Sequence, residues 1–192
     1  MQIKHIKKTR KEQGLLVGKY LFTKAKIKTP DQWRLMEKIN EFRAKGIDVM
    51  PLIRDLNRRC QIEKFAVENL IPTVGRTMVV NNLFASTGTP DNTMLVTHIA
   101  LGTDATAPAN GDSTLGTEVY RNTVASKTNA ANLGYCSGFY HATEDADHYY
   151  EAGVFSNGTG SVDTGILLSH VAIDVDKSLT ETLTIDWTLT IS

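Results

Sequence analysis

Thr182-Leu183-Thr184-Ile185-Asp186-Trp187-Thr188-Leu189-Thr190-Ile191 alternates apolar and polar side chains without a break. In an extended chain successive side chains point to opposite faces, so Leu183, Ile185, Trp187, Leu189 and Ile191 share one face. The other face carries Thr182, Thr184, Asp186, Thr188 and Thr190. This predicts a half-buried antiparallel strand with a threonine-rich outer face. Upstream, Met94–Leu101, Tyr120–Lys127, Leu133–Ala142, Tyr149–Phe155 and Gly165–Val175 carry strand signals between turn-rich stretches such as Asn157-Gly158-Thr159-Gly160. Six strands with short connections and no long helix between them predict a mainly β protein with an antiparallel β-sandwich at its C-terminal end.

The N-terminal part reads differently. Thr29 can cap a helix, Pro30 suits its first position, and Gln32 completes a capping box. Leu35, Ile39 and Phe42, flanked by Trp33 and Met36, form one apolar face, and Gly46 is a natural stop. A shorter helix is expected over Pro51–Arg59, a strand over Cys60–Asn69 and a helix over Pro72–Ala85. Residues 1–28 read as a basic arm with one strand, ordered only where something pairs with it. The expected organisation is a smaller, partly helical, basic anchoring region over 1–67 and a β-sandwich domain over 68–192 that opens with a helix.

Charge follows the same division. Residues 1–80 hold 18 Lys+Arg against 8 Asp+Glu, and residues 81–192 hold 3 against 13, so the near-zero total hides halves of +10 and −10. Such asymmetry suits assembly with neighbours. Lys4, Lys7, Lys8, Arg10, Lys11, Lys24, Lys26 and Lys28 are candidate docking residues for an acidic flank, and Trp33, Met36, Ile39 and Phe42 either bind a partner or cover the sandwich. Nucleic acid is disfavoured as the partner, because Tyr20, Phe22 and Trp33 are the few aromatic residues available for stacking there. No apolar run approaches the length of a membrane span, and no apolar segment follows the basic start as a secretory signal requires. Cys60 and Cys136 are expected as free thiols.

Residue patterns for catalysis are weak. His141, Glu144, Asp145, Asp147 and His148 crowd into eight residues, but their spacing fits neither zinc patterns nor a calcium loop, so a polar hairpin tip is expected and no metal. Ser169 and His170 are adjacent and would point to opposite faces of a strand. Cys136 lacks a nearby base, and Gly111–Gly116 lacks the lysine of a phosphate loop. The expectation is a non-enzyme without cofactors. A sandwich that contacts host-surface carbohydrate needs exposed aromatics, for which Tyr140, Tyr149 and Tyr150 are the candidates.

Several motifs, in order, carry a resemblance. They are Asn69-Leu70-Ile71 with Gly75-Arg76, His98-Ile99-Ala100-Leu101-Gly102-Thr103, Leu115-Gly116-Thr117-Glu118 with Arg121, Glu151-Ala152-Gly153-Val154-Phe155, and Leu183-Thr184-Ile185-Asp186-Trp187-Thr188. Over residues 68–192 the chain resembles virion structural proteins of tailed bacteriophages, of the tail-fibre and collar type. The resemblance implies a β-rich module assembled in the host bacterial cytoplasm into the virion. It implies other virion proteins of the neck, tail or capsid as partners, and a homo-oligomer, a trimer or larger ring. Capsid decoration is the alternative placement. Gly102 and Gly153 are then expected at strand ends or bulges, and Glu118 with Arg121 as an ion pair.

Overall fold

The computed structural model describes residues 16–84 and 95–191. The docking candidates Lys4, Lys7, Lys8, Arg10 and Lys11 lie outside them. Within the described residues the order is β1 (Leu16–Lys26), α1 (Pro30–Ala44), α2 (Met50–Arg59), β2 (Gln61–Glu68), α3 (Thr73–Phe84), β3 (Val96–Gly102), β4 (Glu118–Thr123), β5 (Ser126–Ala130), β6 (Leu133–Tyr140), β7 (His148–Ser156), β8 (Ile166–Asp176) and β9 (Glu181–Ile191). The strands form two antiparallel sheets, a five-stranded one in the order β2-β1-β9-β6-β5 and a four-stranded one in the order β4-β3-β7-β8. Neither sheet closes into a barrel.

β9 sits at the centre of the five-stranded sheet, between β1 and β6. Its apolar face does what the alternation predicts: Leu183, Ile185 and Trp187 enter a core shared by both sheets, with Tyr20 and Phe22 from β1 and with Ile99, Val154, Leu168 and Val171 from the opposite sheet. Phe22 stacks on its cross-strand partner Phe65, ring centroids 4.6 Å apart. The threonine face is not simply outward. Thr182 and Thr184 are buried, because α1 and α2 lie over that end of the sheet and build a second apolar cluster with Ile27 and Phe139.

α1 follows from its sequence in detail. Thr29 Oγ1 accepts from the Gln32 amide while Gln32 Oε1 accepts from the Thr29 amide at 3.0 Å, and at the other end Gly46 takes a φ of 69°. Met36 and Ile39 are fully buried against the sheet, with Trp33 and Phe42 packed beside them. Of the two expectations for this stripe, a partner face or a cover for the sandwich, it is the cover that its packing matches.

The one strand expected in the basic segment forms from Leu16 and is ordered by pairing, though within the body of the sheet rather than as an arm. β1 is an interior strand, hydrogen-bonded to β2 on one side and β9 on the other. Residues on both sides of position 68 thus share one sheet. Position 68 marks a crossing: the Asn69 amide donates to Gly18 O in the five-stranded sheet, and the next amide, Leu70, donates to His170 O in the four-stranded sheet. A second crossing splits the strand expected over Tyr120–Lys127 into β4 and β5. There the Val124 amide donates to Thr97 O of one sheet and the Ala125 amide to Ser137 O of the other.

Candidate functional site

The chain from Thr103 to Thr117 runs over the outer face of the four-stranded sheet, where Leu115 packs with Ala100, Phe155 and Leu167. It is held there by a cluster of ionised groups. Glu151 of β7, 1% exposed, accepts the amides of Gly116 (2.9 Å) and Thr117 (2.8 Å). His170 of the neighbouring β8 donates from Nε2 to Glu151 at 2.9 Å and from Nδ1 to Asp112 at 2.8 Å. With both ring nitrogens donating to carboxylates, the imidazole is a cation. Burial opposes its charge, and the hydrogen bonds to Glu151 and Asp112 outweigh burial and raise its pKa. Burial also opposes the Glu151 charge, and the bonds from His170, Thr117 and Gly116 outweigh it and lower that pKa. An imidazolium with no free nitrogen cannot act as a base. Its role is to pin the loop to the sheet.

Gly102 belongs to this cluster. It ends β3 at a register shift, and a Cβ there would collide with the Glu151 carboxylate and Thr117 O. Gly153 lies inside β7, one residue before the register shift between Val154 and Phe155, and a Cβ there would stand 2.9 Å from Leu115 Cδ2 and Leu167 Cδ1. The Glu118–Arg121 pair forms as expected, with Arg121 Nη2 donating to Glu118 Oε2 at 2.6 Å. Both side chains are shut off from water. The same guanidinium reaches Thr164 O at 2.9 Å and lies 4.6 Å over the Phe155 ring.

The acidic hairpin between β6 and β7 disperses its charged groups. Glu144 pairs with Arg43 of α1 at 2.8 Å and accepts from Asn122 Nδ2 at 2.9 Å. His141 bonds Thr143, while His148 bonds Asp174 of β8 at 2.6 Å. Lys177 is buried beneath the hairpin, where Nζ donates to the carbonyls of Glu144 (2.6 Å) and Asp145 (2.7 Å), and burial lowers its pKa to about 8. Among the described residues no group of three or more His, Cys, Asp or Glu is arranged to hold a metal ion. Ser169 and His170 point apart, Ser169 toward Asn69 and His170 toward Glu151. Cys136 lies in the shared core, where burial pushes its thiol up to about 12, and Cys60 is half-buried; neither is bonded to the other.

Two of the three tyrosines proposed for surface recognition are interior. Tyr140 is 1% and Tyr149 0% exposed, and Tyr140 donates its hydroxyl to Ile99 O at 2.7 Å. Both supply bulk to the shared core, so neither meets a receptor. Tyr150 alone is at the surface, 37% exposed and stacked on His148. Of the three described lysines proposed for docking, two find partners nearby. Lys24 pairs with Glu63 at 3.3 Å and Glu181 at 3.7 Å, Lys28 donates to Gln61 at 2.9 Å, and Lys26 is exposed.

Sequence reasoning missed one feature that remains open. Beyond the cover of the helices, the outer face of the five-stranded sheet forms the floor of a cleft of about 830 Å³, with α2 as its wall. The floor is hydroxyl-rich, with Thr23, Thr188, Ser126, Thr128 and Tyr135 around Asp186, and the cations Arg54, Arg58 and Lys64 line the side. Tyr135 is exposed on the floor, opposite Thr188 of β9 and Thr128 of β5. The hint lay in the alternation of β9 itself, whose polar face is long enough to outrun any one helix.

No protein-family model, curated protein or solved structure matches the chain. No helix among the described residues is long and apolar enough to cross a membrane.

Proposed function

We propose that this chain is a non-enzymatic structural component of a tailed-phage virion, attached at the neck, collar or tail. In this reading the two sheets are a β-sandwich body, and the basic, partly helical region over 1–67 supplies the attachment. The observation that carries it is where the motif residues go. Gly116 and Thr117 give their amides to Glu151, Glu118 is neutralised by Arg121, and Leu115 packs on Gly153. These residues behind the resemblance are spent on fastening a long loop to a sheet, which is the work of a scaffold. Exposed cations such as Lys26 are placed to meet an acidic neighbour, other virion proteins or another copy in a trimer or ring.

Labelling is the test. Antibody bound to this protein in purified particles, viewed by negative-stain electron microscopy, should mark the neck or tail. Label spread over the capsid would favour decoration, and absence of the protein from purified particles would overturn the reading. Mass in solution should be an integer multiple, three or more, of that of one chain.

A further inference from the structure

We propose that Asn110 is a self-modifying residue: in the folded protein it converts to aspartate, and Arg76 captures the product as an ion pair between α3 and the loop from Thr103 to Thr117. This goes beyond the assembly reading and does not depend on it. The sequence holds two Asn-Gly pairs, at 110–111 and 157–158. In such a pair the second residue has no side chain to keep its amide nitrogen away from the asparagine Cγ. That nitrogen attacks Cγ and gives its proton to solvent. The Cγ–Nδ2 bond breaks, and Nδ2 leaves as ammonia with a proton regained from solvent. One water then opens the cyclic imide, at Cγ to give aspartate or at the main-chain carbonyl to give isoaspartate. The net change is asparagine plus water to aspartate plus ammonia.

The structure treats the two pairs differently. At 157–158 the nucleophile is occupied, because the Gly158 amide donates to Thr97 Oγ1 at 2.9 Å. The Asn157 amide is held by Leu95 O at 3.0 Å, and the pair is half-buried. At 110–111 both residues are exposed, and the Gly111 amide has no hydrogen-bond partner among the described residues. They form the tip of a turn closed by the Asp112 amide, which donates to Ala109 O at 3.2 Å. Arg76 of α3 supplies the second observation. Its Nη1 and Nη2 both donate to Asn110 Oδ1, each at 3.2 Å. A guanidinium only donates, so the amide oxygen faces it and Nδ2, the atom that departs, is turned away. Two charged donors on that oxygen favour attack at Cγ, because negative charge grows there as the new bond forms. Arg76 is itself fixed by Ile71 O at 2.7 Å and Thr73 Oγ1 at 3.1 Å. The new carboxylate therefore arises against a waiting cation, and a charged link replaces a neutral one.

Peptide mass spectrometry of the full-length protein, held for weeks at mildly alkaline pH, tests this by reading the exchange of NH2 for OH at each asparagine. Conversion at Asn110 should outpace that at Asn157 about tenfold or more in the folded protein, and the two should convert alike in urea. Gly111→Ala, whose Cβ meets nothing, should slow Asn110 about tenfold. Arg76→Ala should slow it about threefold. Both variants should keep the circular-dichroism spectrum and the rate at Asn157. The Asn110→Asp variant presents the product directly. Its folded-to-unfolded ratio at a fixed urea concentration should be about threefold higher at low salt, and the gain should vanish with Arg76→Ala. An intact Asn110 in the folded protein, equal or faster conversion at Asn157, or the same preference in urea would each overturn the proposal. So would a rate at Asn110 that Arg76→Ala leaves unchanged or raises, or an Asn110→Asp variant whose stability is indifferent to Arg76. None of these outcomes bears on the labelling of particles, so the two readings fail separately.

Discussion

On the outer face of the four-stranded sheet, ionised groups are withdrawn from water and matched: Glu151 with His170, Glu118 with Arg121. On the outer face of the five-stranded sheet, Arg54 and Lys64 line an open cleft with no partner among the described residues. Both faces carry charged residues in sequence, and the sequence alone does not distinguish them. The difference lies in what covers each. A loop closed over the first face, and a charge shut away from water persists only with a partner. Helices cover only one end of the second face, so its charges keep their hydration and remain free to meet something else. Charge that is matched and buried holds the fold, whereas charge left open is available for binding.

The largest test of that contrast is Glu151→Ala. It strands a buried imidazolium and two amides, and should lower unfolding free energy by about 3–5 kcal/mol in urea titrations. Asp112→Ala removes the half-exposed partner of the same histidine and should cost about 1 kcal/mol or less. An equal loss from the two substitutions would break the argument from burial. Next comes Arg121→Ala, expected to cost about 3 kcal/mol because Glu118 is then left buried and unpaired. Replacing both by Glu118→Leu with Arg121→Met should recover part of that loss, the remainder reflecting the carbonyls of Thr159 and Thr164 that Arg121 also serves.

Acidity should act on the first face in a defined sense. Because the folded pKa of His170 is raised above the ordinary 6.5, its contribution is complete below that value and fades as pH rises through the folded pKa. Because that of Glu151 is lowered from 4.5, its contribution is complete above that value and fades as pH falls through the folded pKa. From these two groups alone the urea midpoint is highest between about pH 4.5 and 6.5 and declines on both sides. His98 and His141, whose pKa values burial lowers, weigh against folding as pH falls below 6.5. The alkaline decline should disappear in His170→Gln. Thr29→Ala, which removes the α1 cap, should cost about 1 kcal/mol. Smallest of all, Arg54→Ala and Lys64→Ala should change stability by about 0.5 kcal/mol or less, since they hold nothing in place. A larger loss would show that the second face is structural as well.

Local signals made α1, α2 and β9 legible, because capping, periodicity and alternation are written within one stretch of chain. The interior place of β1 was hidden by its lysines, although Tyr20 and Phe22 alternate with Leu21 and Thr23 as an embedded strand should. The crossing at Val124-Ala125 was invisible, since neither residue is a turn former and both neighbouring stretches read as extended. Burial of Tyr140 and Tyr149 could not be read from aromatic content alone. The cluster of Asp112, Glu151 and His170 was likewise out of reach: three distant positions meet only through the pairing of β7 with β8 and the course of the loop. The open cleft needed the packing of α2 against the sheet.

The two crossings have a mechanical consequence. At Asn69-Leu70 and again at Val124-Ala125, adjacent amides are tied to different sheets, like stitches through two layers of cloth. Tension applied to one layer passes directly into the other at both seams, so neither can peel away first. For a part that must transmit load, that makes the unit of failure the whole molecule.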